Sequence, residues 1–245
     1  MRFPNPVTRL ALFTFLALLA GPLPAAEKLV LPPGPRLVEK NEPGGEWVQD
    51  SVAQGITIYS RSREGSALKE FKGVGMIEAP AGSVFAVLDD SESYPSFMPY
   101  TSECRVLKRE KDTVVAYQRL ELPLVSDRDY TLRSKNQTWQ GPEGTIYRIR
   151  WEPANDQGPA EKAGVLRVNV CEGGWLLEPN GHRATKATYS IYTDSGGALP
   201  PFVANNGSRI AIRKVFDAIR KQVKDPKYSS AGTPAAAEVR NRETR

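Results

Sequence analysis

The residues best suited to acid–base chemistry lie on one candidate strand, 113–122, and just beyond it. Tyr117, Arg119 and Glu121 share one face of this strand, and Asp129 follows it along the chain. Acids and bases held in fixed positions are what general acid–base catalysis needs to move protons. The same pattern is also typical of ordinary ion-paired strand residues, so it leaves catalysis as one alternative.

The opposite face of the same strand is apolar apart from one residue. Val114, Ala116, Gln118 and Leu120 alternate with the polar set, because successive side chains of a strand point to opposite sides. Burying the Gln118 amide without a partner would cost about 1–3 kcal/mol, so a polar group of a ligand, a water or a neighbouring strand should meet it. The pattern predicts the wall of a cavity with Gln118 as its polar group.

The sequence lacks the usual sets of residues for metal binding and for nucleophilic catalysis. His182 is the single histidine and lies in a turn, where we expect it to be solvated, whereas catalytic zinc needs three protein ligands. Cys104 and Cys171 have neither metal-ligand spacing nor an adjacent base, and we expect two separate thiols. Nucleophile-elbow, phosphate-loop and dinucleotide patterns are missing. We therefore expect no metal and no cofactor, and a binding protein rather than an enzyme.

Residues 1–26 have the layout of a secretory signal peptide. Arg2 and Arg9 precede an uncharged apolar run, 10–20, and small residues precede Glu27. The run is shorter than the roughly 20 residues of a spanning helix, although an uncleaved anchor remains an alternative. Cleavage would lower the net charge from +5 to +3. We therefore expect a periplasmic or secreted protein without a nucleic-acid partner, for which transient contact with an anionic membrane surface is feasible.

The remaining chain reads as one domain with irregular ends. Residues 27–46 are rich in Pro and Gly and predict a linker, 47–225 form the domain, and 226–245 predict a disordered tail. Glycines in the third strand predict a bend or bulge there, and Gly173-Gly174 predict a turn. The predicted strands are 47–52, 56–60, 67–78, 103–109, 113–122, 128–138, 144–152, 163–171, 174–178 and 184–193.

Three segments have helical signals. Pro80 opens a helix at its first turn, the segment 94–100 predicts a short helix and a turn, and an amphipathic helix over about 200–224 stops before Pro226. Consecutive strands with short connections favour an antiparallel sheet. The order of elements predicts an α+β fold in which a curved antiparallel sheet wraps around the long C-terminal helix, with room for a ligand between them.

Three motifs, in order along the chain, resemble START domains and the wider helix-grip ligand binders. They are VFAVLD (84–89) with Tyr94, PLVSDRDY (123–130) and GALPPFVAN (197–205). The resemblance implies a cavity for a lipid, a sterol or a similar apolar molecule, for transport or sequestration. It also leaves two alternatives, an enzyme of the polyketide cyclase/dehydratase type and an interaction module with a vestigial cavity. Sterol-binding members often carry a buried acid–arginine pair, and here Ser134 stands where that arginine is expected, one residue after Arg133.

The candidate ligand-binding residues come from four places in this fold. The aromatic and methionine cluster in 94–100 is a candidate gate or ordinary core. The motif at Arg128 is a polar contact at the cavity mouth or a structural ion pair that fixes the entry of the strand, and the last helix contributes apolar side chains that line the opening or pack against the sheet. We expect a monomer whose partner is a lipid or another hydrophobic small molecule. The candidates are Tyr94, Phe97, Met98, Gln118, Leu120, Arg128, Tyr130, Phe202, Ile212 and Phe216.

Overall fold

The computed structural model describes residues 45–123, 125–197 and 200–229. These residues form one ten-stranded sheet and three α-helices. The strand order is β1-β2-β3-β10-β9-β7-β6-β5-β4, with β8 paired to β6 outside this path. All neighbours are antiparallel except β6 and β8. The predicted α+β class, with a mostly antiparallel sheet and a long C-terminal helix, is confirmed.

Most strands begin and end within a few residues of the predicted positions, because turn residues mark their ends. They are β1 (Val48–Ala53), β2 (Ile56–Ser62), β3 (Lys69–Ile77), β4 (Thr101–Arg109), β5 (Thr113–Leu120), β6 (Asp127–Gly141), β7 (Gly144–Pro153), β8 (Val165–Arg167), β9 (Val170–Asn180) and β10 (Ala184–Asp194).

The helices follow the proline signals. Helix α1 (Ala81–Asp89) begins directly after Pro80, and α2 (Tyr94–Phe97) is a single turn. Helix α3 (Pro201–Gln222) has Pro201 at its first position and basic residues in its last turn, an arrangement that suits the helix dipole. Its observed bounds agree with the predicted 200–224.

One predicted strand and one predicted turn are wrong. The segment 163–171 splits into the short β8, which pairs in parallel with β6, and the start of β9. Gly173 and Gly174 lie inside β9 and not in a turn. A Cβ on Gly173 would lie 2.6 Å from the Trp151 ring, and one on Gly174 would lie 2.6 Å from the Ile149 carbonyl oxygen. These glycines are needed for close packing, which local sequence does not reveal.

The glycines of β3 have a similar role. Gly73 and Gly75 keep regular pairing with β2 and β10, so β3 has no bulge at these glycines. A Cβ on Gly73 would lie 2.6 Å from Ile212 of α3, and one on Gly75 would lie 3.1 Å from Phe216. The missing side chains therefore allow α3 to approach the sheet closely.

The ordered domain extends slightly past its predicted end at 225. Residues 226–228 form a 3₁₀ helix, and Tyr228 is buried in the main core with its hydroxyl bonded to Asp90. The predicted tail therefore starts later than 226. The predicted signal peptide (1–26) and nearly all of the linker (27–46) lie outside the described residues. None of the helices described is long and apolar enough to cross a membrane.

Candidate functional site

The two faces of the sheet can be assigned from the pairing register, because directly paired residues share a face. Gly73 of β3 contacts α3, and it pairs with Tyr189, which pairs with Trp175. The side of the sheet that faces α3 is called the inner face below, and the other side the outer face. Followed across β7, β6 and β5, the inner face includes Trp151, Ser134, Val114 and the residues at alternate positions from them.

The inner face has two separate hydrophobic clusters. The main core joins α1 and α3 to β2, β3, β7, β9 and β10, and a smaller cluster contains Cys104, Val114 and Ala116, with Tyr94 packed against it. Inner-face residues between them are only partly buried, although they lie on central strands. This group consists of Gln118, Tyr130, Leu132 and Ser134.

Gln118 has its predicted position and a protein partner. It lies on the inner face of β5, and its Oε1 accepts a 2.8 Å hydrogen bond from the Tyr130 hydroxyl on β6. Its amide also contacts the Cys104 thiol, an interaction that lowers the thiol pKa against the larger effect of burial, which raises it to about 11. Gln118 thus bonds a side chain of a neighbouring strand, which is one of the predicted alternatives, and Gln118 and Tyr130 form one polar pair.

Three inner-side tyrosines combine accessible surface with loss of hydration. Tyr94, Tyr130 and Tyr189 are partly exposed, yet burial is the largest cause that raises the pKa of each phenol above its usual value. Burial likewise raises the pKa of the Cys171 thiol to about 12. All of these groups are therefore neutral near pH 7, so they are poor bases and nucleophiles there.

The residues that sequence reasoning offered as acid–base candidates lie on the outer face. Asp129 is 1% exposed, and its carboxylate accepts two bonds from Arg167 of β8, at 2.7 and 3.2 Å, and one from Tyr117 at 3.1 Å. Arg119 pairs with Asp127, and Glu121 is exposed just after β5. Tyr117, Asp129 and Arg167 form a buried network, and Arg167 also donates to the Pro159 carbonyl. The four candidates do not converge on the inner face.

The candidate gate contacts both clusters of the interior. The Tyr94 hydroxyl donates to the Leu88 carbonyl at 2.6 Å, and the ring packs edge-on against Phe97. Phe97 and Met98 are partly buried against the main core. Lys214 of α3 donates to the Tyr100 hydroxyl at 2.5 Å, which links the segment 94–100 to the helix.

The candidates on the last helix divide into two kinds. Ile212 and Phe216 are fully buried against β3, so they serve as packed core and leave no surface for a ligand. Phe202 is 74% exposed in the first turn of α3, so it does not line an enclosed space. Leu120 and Arg128 pair directly at one end of β5 and β6, and both lie on the inner face.

Sequence reasoning missed several inner-side residues. Trp151 and Tyr189 lie 5.8 Å apart between ring centroids, and Trp175 extends this aromatic row toward Phe216. Strand alternation could have placed each residue on a face, but not on the face that α3 covers. In contrast, His182 lies exposed in its turn as predicted, and Cys104 and Cys171 are separate buried thiols on β4 and β9. Among the residues described, no group of three or more potential metal ligands occurs.

The comparisons with known proteins agree with this architecture. Residues 77–220 match the family model described as polyketide cyclase / dehydrase and lipid transport. The chain is 28% identical over 162 residues to an uncharacterized protein of Pseudomonas aeruginosa, and 26% identical over 167 residues to the phosphatidylcholine transfer protein of Mus musculus. Each alignment covers 66% of this chain, and 78% and 76% of the respective relative.

Solved structures give the same result. A STAR-related lipid transfer protein of Xanthomonas axonopodis is 27% identical, with a TM-score of 0.66 over 73% of this chain and 99% of that chain. The human StarD13 lipid transfer domain shares the fold, with 18% identity and a TM-score of 0.63 over 74% of this chain and 90% of its own. The chain thus belongs to the polyketide cyclase / dehydrase and lipid transport family, and the resemblance to START domains is confirmed.

Proposed function

We propose that this protein binds one lipid-like hydrophobic molecule between the inner face of the sheet and helix α3, and transports or sequesters it outside the cytoplasm. The observation that carries the proposal is the group of inner-face residues that stay only partly buried between the two hydrophobic clusters, Gln118, Tyr130, Leu132 and Ser134. Side chains in that position fit the wall of an enclosed space better than a packed core. A lipid chain would gain about 0.8 kcal/mol for each CH₂ buried there.

A carrier is favoured over an enzyme on this fold. Apart from Arg128, which is a permanent cation, the ionisable groups of the inner side that the structure describes are Cys104, Cys171 and the three tyrosines, and burial raises the pKa of each. The four acid–base candidates lie on the outer face. A catalyst would need at least one acid or base poised near the working pH. The lipid transfer proteins among the relatives support the same conclusion.

Access to this space fits the first half of α3, which is largely exposed. Phe202, Val203 and Ile210 are exposed apolar residues of α3 at 74%, 40% and 41%. Lys214 and Lys221 are exposed on the same helix. Apolar side chains next to lysines suit brief contact with an anionic membrane surface during loading. Export is supported by the charge and apolar pattern of residues 1–26.

The proposal is tested by filling the space from the sheet. Ser134→Trp adds a large ring on the inner face, and Arg133→Trp adds the same ring one residue away on the exposed outer face. We expect wild type and Arg133→Trp to carry extractable lipid and to move it between vesicles, with at least a tenfold loss for Ser134→Trp at unchanged secondary structure. Mass spectrometry measures bound lipid, and fluorescent vesicles measure transfer.

Two results would overturn the proposal. One is the absence of lipid from the wild-type protein together with absence of transfer. The other is an unfolded Ser134→Trp variant, because overpacking of a filled core costs about 1–3 kcal/mol or more, whereas a vacant space would accept the ring.

A further inference from the structure

Arg128 is a buried cation on the inner face that has no anion beside it. It is 3% exposed, and it pairs with Leu120 of β5 and Leu166 of β8. Its Nη1 donates to the Ser126 carbonyl and its Nε to the Ser195 carbonyl at 3.4 Å. Its Nη2 has no hydrogen-bond partner among the residues that the structure describes.

Two neighbouring arginines, unlike Arg128, have carboxylate partners. Arg119 and Arg167 each meet an aspartate, Asp127 and Asp129, whereas no carboxylate of the described chain lies within ion-pair distance of Arg128. The register also places the Asp and Glu residues of β6, β7 and β9 on the outer face. A buried guanidinium without a counter-charge is unfavourable, so a missing anion is the simplest completion of this position.

A glycine lies beside the Arg128 guanidinium. Gly197 has a positive φ of 76°, and a Cβ built on it would lie 3.8 Å from Nη2 of Arg128. The Tyr189 hydroxyl, on the same face of the sheet, also has no hydrogen-bond partner in the described part of the chain. An unpaired guanidinium nitrogen and a free hydroxyl suit a ligand with oxygen acceptors.

Given the proposed function, on which this inference rests, we propose that the bound lipid carries an anionic oxygen group, a phosphate or a carboxylate, and that Arg128 binds it. The planar guanidinium matches either group with two parallel hydrogen bonds. The acyl chain or chains of the lipid then lie along the partly buried inner-face residues Tyr130, Leu132 and Ser134. The protein accordingly prefers anionic lipids to uncharged lipids with the same chains.

The test is a competition within one vesicle population. Full-length protein is incubated with vesicles that contain phosphatidylglycerol, palmitate and diacylglycerol in equal amounts, is recovered, and its bound lipid is quantified by mass spectrometry. Since all three lipids share a vesicle, membrane recruitment is the same for each. We expect phosphatidylglycerol and palmitate to exceed diacylglycerol by at least about tenfold, the range of a charge-assisted hydrogen bond.

Variants then assign the preference to Arg128. In Arg128→Met the ratio should fall to within about twofold while diacylglycerol is still bound, and Arg119→Met, the matched control on the outer face, should keep the wild-type ratio. If Arg128→Met does not fold, Arg128→Lys should fold and keep a reduced preference. Added inorganic phosphate should not displace phosphatidylglycerol, since the acyl chains supply most of the affinity.

The outcomes are separable. Equal uptake of charged and uncharged lipids by the wild type, or an unchanged ratio in Arg128→Met, overturns the inference and leaves the carrier function intact. Displacement of the lipid by free phosphate overturns the assignment to a lipid head group. Failure to take up any of the three lipids counts against the carrier function itself.

Discussion

Two adjacent residues at the start of β6, Arg128 and Asp129, point to opposite faces of the sheet and meet opposite conditions. Asp129, on the outer face, is held by Arg167 and Tyr117. Arg128, on the inner face, meets only backbone carbonyl groups. Both are nearly fully buried. The difference teaches that the buried charge on the outer face has its counter-charge within the protein, whereas the buried charge on the inner face has none among the described residues.

The largest expected effect comes from breaking the buried ion pair between Asp129 and Arg167 on the outer face. Asp129→Asn would leave Arg167, whose side chain is 7% exposed, without a counter-charge, and removal of one partner from a buried ion pair costs about 3–5 kcal/mol. We expect urea denaturation to show a loss of this size. The relative uptake of charged and uncharged lipids by the folded fraction should stay as in the wild type.

Asp127→Asn is the matched control for this change. Asp127 lies two residues away on the same face and pairs with Arg119, but both side chains are partly exposed, so the loss should be below about 1 kcal/mol. If Asp129→Asn and Asp127→Asn cost the same, the outer network does not stabilise the fold as described. If Asp129→Asn changes the lipid preference, the two faces are not separate in function.

The two halves of α3 offer a second contrast, with a smaller effect. Gly73→Ala places a methyl group 2.6 Å from Ile212 in the buried half of the helix, and should cost about 1–3 kcal/mol by overpacking. Gly207→Ala lies in the exposed half with nothing within 4 Å, and should gain up to about 1 kcal/mol from helix propensity. Thermal and urea melts measure both changes. A loss of stability in Gly207→Ala would mean that the first half of α3 is packed more tightly than described.

The smallest effect is the pH dependence of the inner thiols. In the unfolded chain both thiols lose their protons near pH 9.0, whereas in the native protein Cys104 and Cys171 keep them up to pKa values of about 11 and 12. The raised native pKa values mean that their contribution to stability is complete well below pH 9, starts to fall as pH approaches 9, and is lost as pH rises through the native values. Between pH 7 and 9 the free energy of unfolding should fall by about 1 kcal/mol.

Two measurements check the thiols. Urea melts at pH 7 and 9 give the free energy, with Cys104→Ser/Cys171→Ser as the control in which the thiol part of the dependence disappears. At pH 8 the thiols of the native protein should react with a disulfide reagent far more slowly than those of the urea-unfolded chain. Rapid reaction of the native protein, or stability that rises with pH, would contradict the burial of these groups.

Much of the architecture could be predicted because it depends on short-range patterns. Strand alternation correctly separated Val114, Ala116 and Gln118 from Tyr117 and Arg119. Proline positions fixed the starts of α1 and α3, and three motifs in order sufficed for the family. The predictions failed where a residue packs against a segment distant in sequence, as Gly173 of β9 does with Trp151 and Gly73 of β3 does with Ile212.

The sequence by itself therefore determined the order of the elements, the side of each strand on which a residue lies, and the class of fold. Only the tertiary structure decided which side of the sheet faces α3. It also decided that Asp129 has a counter-charge on β8, whereas Arg128 has no counter-charge among the described residues. The physical reason is that propensity and alternation act between neighbours along the chain. Charge pairing and burial depend instead on segments that meet only after the sheet has formed.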